Sequence, residues 1–158
     1  MTSHTSIRRE IDSALADVVR DGIARSIAVV GLAGVALIHV LDLPGTFDSQ
    51  SYKGWLYLGL IAGCVLTAAA LVRTSDPRAW LAAMLLPLGA MVGFVISRTV
   101  GIPGGADDIG NWTETLGLAS LFVEGSLVAL AAGVIHARAT RRNPAPALAR
   151  AWSQVVAR

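Results

Sequence analysis

Residues 115–137 read TLGLASLFVEGSLVALAAGVIHA, 23 residues with one charged side chain, Glu124. A helix of that length rises about 34 Å, enough for the roughly 30 Å hydrocarbon core of a bilayer. Glu124 falls nine residues in, about 14 Å from the start, close to the midplane of such a span. Three other runs have the same build, at 26–43, 54–72 and 80–97. The reading is an all-α polytopic membrane protein, an antiparallel four-transmembrane-helix bundle in a single domain. A mixed-charge arm (1–25) precedes the bundle and a basic tail (138–158) follows it.

Composition supports this class. The chain has 158 residues and is 54% hydrophobic, above the roughly 45–50% of soluble domains. Four crossings of about 20 residues each leave no room for a second domain. Ala and Gly are abundant, as expected where helices must associate in lipid without a hydrophobic drive. The one cysteine, Cys64, excludes an internal disulfide and a cysteine-based metal site.

Charge gives the direction. Eleven basic residues lie before the first run, between the second and third, or after the fourth, and only Lys53 and Arg98 lie on the other side. The positive-inside bias then predicts a multi-pass plasma-membrane protein with both termini cytoplasmic. The net charge of +2 therefore speaks for membrane orientation and not for nucleic acid; the expected partner is the lipid bilayer. Trp55 and Trp112 are expected at the outer interface and Trp80 at the inner one. Ile7, Ile11, Leu15 and Val18 in the arm, and Leu148, Trp152 and Val155 in the tail, recur at helical spacing. Both tails read as cytoplasmic amphipathic helices lying on the membrane surface.

Gly59 with Gly63, and Gly89 with Gly93, form GxxxG pairs, and Gly125, Ala129 and Gly133 repeat the spacing. They predict close-packing faces, within the chain or toward a homo-oligomeric or membrane-protein partner. Pro87 is expected to kink the third helix. The halves echo each other at an offset of 58 residues, Leu58-Gly59-Leu60 matching Leu116-Gly117-Leu118. That offset sets Glu124 against Leu66 and His39 against Ser97.

Ionisable groups inside membrane spans mark function or a buried pairing. Helical side chains tilt toward their own N-terminus. His39, Asp42 and Arg98, on outward-running helices, tilt inward, and Glu124, on an inward-running helix, tilts outward. All four can converge in the outer half, with Ser120 one turn from Glu124. Three readings follow: a structural cluster that fixes helix register, with Glu124 protonated or paired with His39 or Arg98, a proton or cation relay through Glu124 and His39, and a metal site of His39, Asp42 and Glu124. The outer loop adds Asp107, Asp108 and Trp112 as further site candidates. A bis-histidine haem is disfavoured, since His39 and His136 lie at opposite depths. No motif calls for any other cofactor, and no phosphate loop, nucleophile elbow or HExxH supports an enzyme.

The stretch Ile96-Ser-Arg-Thr-Val-Gly-Ile-Pro-Gly, then Asn111-Trp112, then Leu116-Gly117-Leu118 through Glu124, together with Ile38-His39 and Leu43-Pro44-Gly45, resembles a pattern in small four-helix integral membrane proteins of high-GC Gram-positive bacteria. The resemblance implies the membrane class and draws attention to His39, Arg98, Trp112 and Glu124; it implies no activity. The function expected is a membrane scaffold or accessory subunit with a buried polar cluster, the alternative a small transporter or proton/cation-coupled carrier using Glu124 and His39.

Overall fold

The computed structural model of the protein describes residues 2–142. Four helices carry the chain: α1 (Thr2–Ser49), α2 (Ser51–Arg73), α3 (Pro77–Thr99) and α4 (Thr115–Arg142), with one 3-10 turn at Ala106–Asp108. All four are long and apolar enough to cross a membrane. Each packs against its neighbours in sequence, and α4 closes the ring on α1, giving an antiparallel four-helix bundle. One end carries the α1–α2 turn and the 100–114 loop, the other both chain ends and the α2–α3 turn. They are called here the loop end and the terminal end.

The bundle is apolar outside as well as inside. Phe122, Val30 and Leu66 are each more than 70% exposed, while Glu124 is 2% exposed. Water does not favour that arrangement, and lipid does. Inward positions on α4 run Gly117, Ser120, Glu124, Leu127 and Ala131, and on α1 Ala28, Leu32, Val35 and His39. These three- and four-residue steps are the heptad seam of a left-handed bundle. A hydrogen bond from the Tyr57 hydroxyl to Asp42 sets the α1–α2 register. It brings Cys64 level with Val35, Thr67 with Leu32 and Leu71 with Ala28, all buried.

The ends of the elements follow local chemistry. Asp76 caps α3, accepting from the Arg78 backbone N–H at 2.8 Å, with Pro77 in the first turn. Arg25 donates to the terminal carbonyls of α2 at Leu71 and Thr74, satisfying a helix C-terminus. Gly101, Gly104 and Gly110 take positive φ in the long loop. Gln50 and Tyr52 bond the Gly104 and Pro103 carbonyls, tying that loop to the α1–α2 turn.

Several expectations change. The arm is not a separate helix: α1 runs unbroken for 48 residues, about 72 Å. Ion pairs Asp17–Arg141 and Asp21–Arg138, both at 2.6 Å, hold the extension beside the end of α4. The Arg141 hydrogen bonds hold the Asp17 carboxyl below its ordinary value. α1 also continues through Pro44, because Thr46 and Phe47 still find buried partners against Asp42 and Gly54. Trp80, three residues into α3, is buried in the core beneath the Arg138 guanidinium, 5.6 Å from the ring centroid. Trp55 and Trp112 are exposed. Pro87 lies buried inside α3, which continues through it from Pro77 to Thr99 and leaves the expected kink untouched. The 58-residue echo does not superpose faces, since Leu66 points outward where Glu124 is buried. The expected tail helix, with Leu148, Trp152 and Val155, lies outside the described residues.

Candidate functional site

A cavity of about 720 Å³ occupies the loop half of the bundle. That volume falls within the roughly 300–1,000 Å³ of small-molecule sites. His39, Asp42, Arg98 and Glu124 all border it, as do Asp107 and Asp108 from the loop. Trp112 does not; it lies edge-on to Phe94, with 6.2 Å between ring centroids.

Glu124 forms the deep end. Ser120, one turn earlier, donates to its Oε1 at 2.7 Å. His39 Nε2 lies 3.9 Å from the same oxygen, beyond hydrogen-bond length but within ionic reach. The His39 ring is oriented by its other nitrogen: Nδ1 lies 2.9 Å from the Val35 carbonyl, an acceptor, so Nδ1 carries the hydrogen. Nε2 is then the nitrogen left to face Glu124. Tyr57 stands edge-on to the His39 ring at 4.7 Å.

Asp42 forms a second station nearer the loop end. It accepts from the Tyr57 hydroxyl at 3.1 Å and from Thr46 at 3.3 Å. No Lys or Arg contacts it among the described residues.

Arg98 forms the third, at the rim. It does not reach Glu124. Its guanidinium pairs with Glu114 and with Asp108, the latter at 2.6 Å, and lies 4.8 Å from the Phe94 ring centroid. The Asp108 contact is ionic, since the Arg98 Nη1 hydrogens are not aligned on that oxygen, and the buried Nε has no acceptor. Lys53 reaches Asp108 from the other side at 3.4 Å. The reason is the loop path: the Gly110 N–H bonds the Arg98 carbonyl at 2.9 Å, folding the acidic loop back onto the end of α3.

The expected cluster thus divides into three parts of one cavity. Among the described residues no three His, Cys, Asp or Glu side chains gather closely enough to hold a metal ion. His39, Asp42 and Glu124 therefore make no ligand triad, because Asp42 is turned to Tyr57 and Thr46.

The glycine pairs also read differently. A Cβ at Gly63 would lie 3.0 Å from Leu86, so that glycine does let α2 and α3 approach. At Gly59, Gly89 and Gly93 a Cβ would meet nothing within 4 Å, and all three border the cavity. In α4, Gly125 is loosely approached by Met91 at 3.8 Å and Gly133 faces open space. The tight contact of that helix is Gly117 against Phe94, at 2.5 Å from a built Cβ.

Tyr57, Thr46 and Glu114 were not singled out from sequence as members of the cavity. Tyr57 was findable: counting equally from the α1–α2 turn brings it level with Asp42. Thr46 lay beyond the expected end of the first helix, and Glu114 required the fold of the loop.

Fold and site define a class, a bundle of four membrane-length helices with a polar cavity in one half. Comparison with known protein families, curated proteins and solved structures finds no match to this chain.

Proposed function

We propose that the protein is a small multi-pass carrier that binds a cation in the loop-half cavity and exchanges it for a proton at Glu124. The observation that supports this most is the cavity itself, which runs from the loop residues Asp107 and Asp108 down to Glu124 and His39. A carboxylate needed only to fix helix register has no use for an open volume beside it. Intramembrane carboxylates that border such a volume mark ion or proton paths. In this scheme Glu124 holds either the proton or the cation, Ser120 keeps its Oε1 in place, and His39 Nε2 passes the proton. The Val35 carbonyl holds the ring in the tautomer that leaves Nε2 available.

The same proposal places both termini in the cytoplasm and the cavity on the outer side of the plasma membrane. The support is the eleven-to-two division of basic residues between the two ends.

The test is proton flux in proteoliposomes loaded with a pH dye, driven by a tetramethylammonium gradient. Wild-type protein should carry flux above empty liposomes, and Glu124→Gln should abolish it while circular dichroism and elution volume stay unchanged. Wild-type flux no greater than that of empty liposomes, or a Glu124→Gln variant keeping half the flux, refutes the reading.

A second reading, a membrane scaffold or accessory subunit, is favoured by the Arg98 clamp. That clamp joins α3, the loop and the start of α4 without touching Glu124, which suits a rigid outer face presented to another protein.

A further inference from the structure

We infer that the occupant of this cavity is an amphipathic monocation, an ammonium group carrying a hydrocarbon chain, and that it enters sideways from the lipid between α2 and α3. The inference rests on the cation-binding reading above and adds the ligand's chemical class and its route.

The charged end follows from the pairing of the walls. The two permanent cations of the cavity, Lys53 and Arg98, are engaged by Asp108 and Glu114. Asp42 and Glu124 are different. Asp42 has only the hydroxyls of Tyr57 and Thr46, and Glu124 has Ser120 and the distant His39 ring. Two carboxyl groups without a Lys or Arg partner among the described residues, one of them 2% exposed, leave the positive partner to be supplied from outside. The Tyr57 ring lies between the two stations, in contact with His39 and with the Lys53 ammonium 6.0 Å from its centroid.

The apolar end follows from the seam between α2 and α3. Of the four neighbouring helix pairs, this one has the least extensive contact. Toward the terminal end it is closed by Leu86 against Gly63. In that register Gly59 comes level with Ala90, and Gly89 with Leu60, and the glycines project no side chain to close the gap. Leu56 and Leu85 border the cavity and are 67% and 57% exposed. Neither helix buries this leucine against the other, which leaves the seam open to a lateral route. Gly59 lies eight residues into α2, roughly 12 Å from its end. For a helix crossing a bilayer that depth is hydrocarbon. A solute using this opening must be at home among lipid chains, and one satisfying Asp42 and Glu124 must carry positive charge. An amphipathic monocation meets both requirements. A hydrated inorganic ion fits the carboxylates but not the lateral route.

The experiment is calorimetric titration of full-length protein in phosphatidylcholine nanodiscs, with empty nanodiscs as the blank. The probes are octyltrimethylammonium, tetramethylammonium and octyl sulfate. The expected result is saturable 1:1 binding of octyltrimethylammonium, at least tenfold tighter than tetramethylammonium, no saturable binding of octyl sulfate, and loss of the first in Glu124→Gln. The paired variant Gly59→Leu/Gly89→Leu should weaken octyltrimethylammonium at least tenfold and leave tetramethylammonium within twofold. Gly59→Ala/Gly89→Ala adds only methyl groups into open space, so it keeps the fold and should give an intermediate loss. If tetramethylammonium binds through Glu124 but the octyl chain adds nothing, or the glycine variants bind as wild type, the route and ligand class are overturned and the cation site stands. If octyl sulfate binds equally well, the charge argument is overturned. If no cation binds in a Glu124-dependent way, both this inference and the function it rests on are overturned.

Discussion

Arg98→Met should be among the most damaging single changes in the loop half. The Arg98 side chain is 4% exposed, and its partners Asp108 and Glu114 are 25% and 36% exposed. Removing one member of a fully buried ion pair costs about 3–5 kcal/mol, mostly from the charge left behind. Here the abandoned carboxylates sit at the rim and regain some water, which lowers the figure. Loss of the guanidinium over the Phe94 ring adds about 0.5–1 kcal/mol, while Met keeps most of the aliphatic volume. The net expectation is about 2–3 kcal/mol, a 30- to 150-fold change in the folding equilibrium by the conversion of about 1.4 kcal/mol per factor of ten. Reversible unfolding in mixed micelles, followed by helical circular dichroism, measures it. The triple variant Arg98→Met/Asp108→Asn/Glu114→Gln removes the stranded charges and should return to within about 1 kcal/mol of wild type. A double-mutant cycle of Arg98→Met with Glu124→Gln should be additive within about 0.5 kcal/mol, since no contact joins them. A loss below about 0.5 kcal/mol for Arg98→Met, or a triple variant as unstable as the single one, refutes the clamp. Strong coupling to Glu124 would restore the Arg98 pairing, one of the alternatives the sequence left open.

Two further outcomes are expected. Gly117→Ala should destabilise by about 1–3 kcal/mol, as overpacking does, because its new Cβ meets the Phe94 ring, itself held between Arg98 and Trp112. Gly93→Ala, which meets nothing within 4 Å, should be neutral or gain up to about 1 kcal/mol in helix propensity; the same micelle unfolding assay measures both, and equal losses would contradict the open seam. For orientation, a membrane-impermeant thiol reagent on intact cells should label Ser49→Cys at the loop end and spare Thr140→Cys at the terminal end, and the reverse pattern would invert the proposed topology.

Sequence carried the class and the deep pair, but not their partners. Hydropathy and length placed the four spans, since lipid demands both over about 20 residues. Glu124 and His39 were legible because each is the ionisable member of an otherwise apolar three-four repeat. Of the two partners open to Glu124 on sequence, Arg98 is not the one: its own partners come from a loop whose return depends on positive-φ glycines and on the Gly110–Arg98 backbone bond. Trp80 was placed at an interface because a tryptophan near a helix start has that average habit. Its packing into the core and its contact with Arg138, 58 positions away in sequence, depend on the tertiary fold. The amphipathic pattern of the arm reads as surface-bound, and the ion pairs that join it to the end of α4 are long-range.

The two halves of the bundle differ by composition within one geometry. In the terminal half the seam positions carry Leu32, Leu71, Trp80, Ala83 and Leu127, which fill the interior. In the loop half the corresponding steps bring His39, Asp42, Ser120 and Glu124 inward, while α2 and α3 contribute Gly59, Gly89 and Gly93. Helices held at the spacing that leucine requires cannot close over glycine, so a void follows from the same packing that makes the other half solid. If Glu124 served only to fix register, leucine at those glycines would bury it more cheaply and add contact area. The glycines instead border the same open volume as Glu124, as do the exposed Leu56 and Leu85. Shape and charge thus point to one place, and for that reason substitutions at Gly59 and Gly89 discriminate a binding cavity from a structural polar cluster more sharply than substitution of Glu124 alone.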